Sequence, residues 1–281
     1  MMGSSTMRLA AVARLDLAEV KRSRWLVFLI ALYAALGAIF VLVGLRESDV
    51  LGFAGMGRVL LSLCNGLVLL IPLLALTGSG QVISGAREDG TLELLLSHPI
   101  TRNDYFGAVS LVRYAVLMAP LAALMVALGV YGRLAFGQSI PWAFLGRAIA
   151  ISASLGWAFV GIALAVSVAV RNQARTMVYL LVIWVTAVVM LDFALIGLML
   201  QWRLNARAVF LLACLNPVET ARMALLSAAE PTLGVLGPVG FYLANRIGTG
   251  WLFALGTLWP LAVGLTAWLL AWRSFAKGDA V

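Results

Sequence analysis

Few side chains in this 281-residue chain suit metal binding or nucleophilic catalysis. The single histidine, His98, has no HExxH partner for zinc, and the two cysteines, Cys64 and Cys214, lie far apart with no CxxC. Free buried thiols are the expected state of both. Ser79 sits in Thr77-Gly78-Ser79-Gly80, which lacks the spacing of a nucleophile elbow or of a Gly-x-Ser-Gly protease. No glycine-rich loop precedes Lys-Ser or Lys-Thr, so no P-loop phosphate cradle is encoded. Catalysis within a membrane needs at least two ionisable groups at matched depth, and the candidates are Arg113, Arg147 and Asp192. The chain reads as neither an enzyme nor a resident metal or cofactor site.

One polar stretch carries more information. It runs Gly85-Ala86-Arg87-Glu88-Asp89-Gly90-Thr91-Leu92-Glu93-Leu94-Leu95-Leu96-Ser97-His98-Pro99-Ile100-Thr101-Arg102 and joins two long apolar runs. Gly90 permits a sharp exit from the preceding run. Thr91 can cap a short helix that Pro99 stops, and Thr101 with Asp104 three residues on begins the next helix as a capping box. A leucine-rich helix at 90–99, held between charged ends and parallel to a membrane, has two physical fates. It docks in a partner's groove, or it dips into lipid headgroups.

The elements around this stretch follow from composition. Hydrophobic residues make up 63% of the chain and charged residues 11%, whereas soluble domains are nearer half apolar and a quarter charged. A soluble fold of this length could not hide so much apolar surface. Soluble enzymes, disordered tails and nucleic-acid binders are excluded. The net charge of +8 comes from Lys and Arg scattered at the ends of apolar runs, the pattern that orients membrane proteins.

Crossing a bilayer takes about 20 apolar residues. Six runs qualify, at 25–45, 59–83, 105–134, 141–170, 177–200 and 250–272, with Pro72 and Pro120 as plausible kinks. The expected fold is an all-α integral membrane domain of six spans occupying 1–281. Its cationic flanks favour a cytoplasmic position for both termini. Residues 7–24 place Leu9, Val12, Ala13, Leu17 and Val20 opposite Arg8, Arg14 and Lys21, an amphipathic helix suited to the membrane surface. Residues 206–245 fit a re-entrant or interfacial hairpin on the outer side. Asn216-Pro217 interrupts it, and Glu219 with Arg222 would make a true seventh span costly.

The segment Arg-Glu-Asp-Gly-Thr-Leu-Glu-Leu-Leu-Leu-Ser-His-Pro-Ile-Thr-Arg at 87–102 resembles the signature following the second span of ABC-2-type permeases. The six-span layout, the leading surface helix and the outer hairpin are similar to that family as well. The resemblance implies that 90–99 is a coupling helix for a separate ATPase, with Glu88, Gly90, Thr91, Leu92, Glu93, Leu95, Leu96, Pro99 and Arg102 as coupling residues. It also implies a homodimer in a bacterial inner (cytoplasmic) membrane, joined by two cytoplasmic ATPase subunits that hold the ATP and Mg. This chain itself would bind no cofactor.

Two further stretches resemble permease subunits of the transporters that mature nitrous oxide reductase. They are Trp184 with Leu191-Asp192-Phe193, and Leu215-Asn216-Pro217-Val218-Glu219-Thr220-Ala221-Arg222 followed by Leu236-Gly237-Pro238. That resemblance implies a periplasmic accessory protein and a role in supplying copper or sulfur to the reductase. Met177, Met190 and Met199 do not cluster as a soft-metal relay, so copper, a sulfur species and mechanical work on an outer partner all stay open. A general exporter of a drug, lipid or other small molecule and a non-transporting scaffold remain alternatives.

Candidate pathway residues are Asp192, about 12 Å below the outer end of its span, and Arg147, about 9 Å below the end of the neighbouring one. They can meet as a structural ion pair or act at a gate. Asn65 is a further pathway candidate, and Asn216, Pro217, Glu219 and Arg222 are candidates for contact with an outer partner. Glu219 and Arg222, one helical turn apart, are expected to pair.

Overall fold

The chain is all helical in a computed structural model that describes residues 2–51, 55–136, 142–191, 193, 194, 197, 206–229 and 246–277. Helix α1 covers Met2–Arg22, α2 Trp25–Leu51, α3 Gly55–Ser79, α4 Val82–Glu88 and α5 Thr91–Leu96. Then follow α6 at Arg102–Phe136, α7 at Trp142–Ala169 and α8 at Gln173–Trp184, which continues into a π-helical turn at Val185–Met190. Helices α9 (Ala206–Ala213), α10 (Pro217–Ala229) and α11 (Thr249–Lys277) complete the described chain.

Among the described residues, five stretches are long and apolar enough to cross a membrane alone: Asn65–Glu88, Arg102–Tyr131, Trp142–Ala169, Gln173–Met190 and Thr249–Lys277. Two bent pairs raise the count to at most seven, Met7–Arg22 with Trp25–Ile39 at 62° and Arg207–Ala213 with Pro217–Ala229 at 117°. The six expected spans fall inside that range. The stretch containing Asn65 continues past residue 83 to Glu88, because α4 carries on from α3 after a turn at Gly80 and Gln81. Pro72, Pro120 and also Pro260 lie within helices.

Helix α7 is the hub, packed against α11, α3, α6 and α10. Small residues make this possible, because helices in lipid associate by close van der Waals approach and not by escape from water. At Gly264 an added Cβ would lie 2.6 Å from the Trp157 ring and 2.8 Å from the Ala158 Cα, so only glycine permits the approach of α11 to α7. The apolar stripe of α1 meets α6 and α2: Val12 and Val20 are buried, and Leu9, Ala13 and Leu17 pack on the same core. The side chains of Met7 and Leu15 point outward.

Successive spans alternate in direction, so α5 and both ends of the described chain share one end of the bundle. Arg102 Nη1 donates to the Phe275 carbonyl at 3.5 Å, and the Trp272 indole donates to Asn103 Oδ1 at 3.0 Å. These bonds join the start of α6 to the end of α11. The hairpin α9–α10 lies at the opposite end.

Candidate functional site

The polar link forms a braced structure at the α5 end. Gly90 adopts φ 70° as the cap preceding α5, with nothing within 4 Å of a Cβ built there, so the backbone conformation alone requires glycine. Thr91, expected to cap α5, is instead its first helical residue, and its hydroxyl donates back to the Ala86 carbonyl at 3.1 Å. At the other end the Ser97 hydroxyl donates to the Leu94 carbonyl at 2.7 Å, with His98 Nδ1 3.0 Å from the same oxygen. The helix thus stops at Leu96, ahead of exposed Pro99. Thr101 Oγ1 accepts from the Asp104 N–H at 3.1 Å, as a capping box requires. The Asp104 carboxylate turns instead toward Arg8, 3.4 Å away on α1.

Helical periodicity divides the leucines. Leu92 is buried and seats α5 on the bundle, with Leu95 and Leu96 flanking it on the same face and partly buried. Leu94 points the other way and is 68% exposed, beside exposed Glu93. The leucine displayed at this end is therefore Leu94, whereas Leu92 faces inward.

Polar contacts lock the link to neighbouring spans. The Ser167 hydroxyl on α7 accepts from the Ile83 and Ser84 N–H groups at 3.1 and 3.0 Å, satisfying two donors that the start of α4 leaves open. Arg87 Nη1 donates to the Val168 carbonyl at 2.8 Å, and its guanidinium lies 5.8 Å from the Phe275 ring centroid. Glu88 accepts from the Gln173 N–H at 2.8 Å and from Asn172 Nδ2 at 3.3 Å, so its carboxylate caps the first turn of α8. Gln173 Nε2 adds a bond to Gln81 Oε1 at 3.0 Å. Glu88 thus faces α8 within the chain.

A buried ion pair ties α1 to this region. Arg113 Nη2 lies 2.6 Å from Asp16 Oδ1, and Arg113 Nε donates to both Asp16 oxygens at 3.1 and 3.2 Å. Arg113 Nη1 reaches the Gly78 carbonyl at 3.4 Å, and Glu19 stands 3.7 Å from Nη2. A cleft of about 630 Å³ opens beside the pair, lined by Trp25, Glu19, Gln81, Asp89, Leu94 and Leu95 among others.

At the opposite end, Asn216 performs two tasks. Its Oδ1 accepts from the Val218 N–H at 3.0 Å, capping α10 ahead of Pro217 at the first helical position. Its Nδ2 donates to the Ala187 carbonyl at 2.6 Å. In an α-helix Ala187 O would accept from Leu191, but the Leu191 N–H reaches Thr186 O instead, as the π-turn dictates. Asn216 thus binds a carbonyl inside the π-turn. Glu219 and Arg222 pair at 2.9 Å, with Glu219 buried and Arg222 partly exposed. Helix α10 packs on α11, α7 and α3, so Asn216 and Glu219 serve the chain's own packing.

Of the pathway candidates, Asn65 on α3 and Arg147 on α7 are exposed. Asp192, with the expected Asp192–Arg147 pair, lies outside the described residues, as does the hairpin from 230 to 245. Sequence reasoning missed Asp16, Leu94, Ser167 and the Glu88–α8 clamp. Asp16 had a visible signal, an acid four residues from both Val12 and Val20 on the apolar stripe. Among the described residues, no three His, Cys, Asp or Glu side chains gather where they could hold a metal ion.

Residues 10–276 match the family described as ABC-2 family transporter protein. The chain is 32% identical over 234 residues to a probable ABC transporter permease protein NosY of Stutzerimonas stutzeri, covering 80% of this chain and 84% of that protein. It is 30% identical over 242 residues to a probable NosY permease of Pseudomonas aeruginosa, covering 78% of this chain and 82% of that one. The chain therefore belongs to the ABC-2 family of transporter permeases, multi-pass membrane subunits that are not themselves catalytic and pair with a separate ATPase subunit.

Proposed function

We propose that this chain is the permease of an ATP-driven transporter serving nitrous oxide reductase maturation, with α5 as the element its ATPase grips. Two copies of the chain pair with two ATPase subunits. The α5 end faces the cytoplasm, and the α9–α10 end faces a periplasmic accessory protein. The work done there exports a copper or sulfur species, or acts mechanically on that partner. The likeness to two NosY permeases supports the maturation role. The observation that carries the coupling role is the braced link, which presents Leu94 outward while Leu92, Gly90 and Glu88 fix its pose.

The mechanism follows from that bracing. A partner that grips Leu94 on α5 pulls on the adjoining α4, which is bonded to α7 and to the start of α8 and lays Arg87 against Phe275 of α11, so the displacement reaches several spans at once. The exposed apolar faces of α2 (Val27, Phe28, Ile30) and α8 (Val178, Leu181, Val182) are available to lipid or to a second copy.

Co-purification in mild detergent tests the reading. Leu94→Asp changes an exposed residue and leaves the fold intact. It is expected to cost the ATPase interface about 2 kcal/mol or more, roughly a 30-fold loss of affinity. A periplasmic protein is expected to accompany the wild-type complex. An ATPase that binds Leu94→Asp as tightly as wild type would overturn the role of α5. A complex that carries an ATPase but no periplasmic partner would point to general export.

A further inference from the structure

Helix α8 is held by polar contacts at its first turn and at the π-turn that follows it, and packs on the bundle along one face only. Its first turn is held by the Glu88 carboxylate and by the Gln173–Gln81 bond, both from the link that carries α5. Its far end is held through the Ala187 carbonyl by Asn216, from the cap of α10. Between these points α8 buries Thr176 and Leu180, while Val178, Tyr179, Leu181 and Val182 are exposed. A lateral hold comes from the Trp184 indole, which donates to the Leu69 carbonyl at 3.2 Å.

Resting on the reading that a partner ATPase moves α5, we infer that α8 is the rod that carries this movement to the α9–α10 hairpin, with Asn216 as its positioning residue. An α-helix is stiff along its axis, and one whole face of α8, with Val178, Tyr179, Leu181 and Val182, is unpacked against this chain. The attachment is made within the π-turn, where Ala187 O accepts from a side chain of another element at 2.6 Å. Were Asn216 only a helix cap, its Oδ1 bond to Val218 would suffice. Its Nδ2 bond joins two elements far apart in sequence and is the sole part of the residue that capping does not need.

Asn216→Ser separates the two tasks. Serine caps a helix about as well as asparagine but is too short to reach Ala187 O. The assembled complex of permease and ATPase is followed by hydrogen exchange, with and without ATP, and the ATP-dependent change in protection across 206–229 is read. Spatial intermediacy alone does not establish coupling, and this difference measures it. The wild type is expected to show the change and Asn216→Ser to lose it, with the ATPase still bound. An equal ATP-dependent change in both proteins overturns the rod while leaving α5 as the docking element. No change in the wild type overturns both the rod and the ATP-driven reading beneath it.

Discussion

Helices α7 and α8 are neighbours in sequence and both are apolar, yet their surroundings differ. Helix α7 buries residues around its whole circumference, including Ser152, Gly156 and Gly161, and touches six other helices. Helix α8 buries Thr176 and Leu180 and leaves most of its valines and leucines exposed. Apolar composition alone says that a helix leaves water. It does not say whether lipid, the same chain or a second chain receives the side chains. Small residues make the difference for α7, because they let α11 approach until backbone meets backbone.

The contrast between a packed centre and a loosely held flank can be broken in graded steps. The largest effect is expected at the ion pair joining α1 to α6. Asp16→Ala leaves the Arg113 guanidinium buried without its main partner, a loss of about 3–5 kcal/mol in unfolding free energy. Replacing both partners, as Asp16→Leu with Arg113→Met, should restore most of it. Unfolding in mild detergent reads both variants, and wild-type stability in Asp16→Ala would remove α1 from the packed half.

Next comes Gly264→Val, which forces a side chain against Trp157 and Ala158. The expected loss is about 1–3 kcal/mol by overpacking. Retention of the wild-type melting temperature would mean that α7 and α11 can separate without penalty. A smaller loss, about 1–2 kcal/mol, is expected for Gly90→Ala, because the only obstacle is a left-handed backbone in open space. Hydrogen exchange of 82–102 should show that this loss is confined to the link.

The smallest effect marks the flank. Val182→Ala on the exposed face of α8 should stay within about 0.5 kcal/mol of wild type for the isolated chain. If that variant instead dissociates the native complex, measured by native mass spectrometry, α8 faces a second protein and not lipid.

Much of this was legible in the sequence. Long apolar runs, the Gly90–Pro99 punctuation and the Thr101 cap emerge from local chemistry, since each depends on residues within a few positions. The pairing of Glu219 with Arg222 was legible for the same reason, being one helical turn apart. The exposed Leu94 was also within reach, because α-helical periodicity sets it opposite Leu92, Leu95 and Leu96.

What the sequence alone determined is thus the membrane class, the existence of the helices and the capped link, all consequences of hydrophobicity and backbone preference acting over short distances. Only the tertiary structure decided which polar groups meet between helices. Asp16 and Arg113 are 97 residues apart, Glu88 and Gln173 85, and Ala187 and Asn216 29. A buried polar atom takes whatever partner the packing brings within 3 Å, and in a bundle of apolar helices nothing local encodes which one that is. The packing of the helices chose those partners.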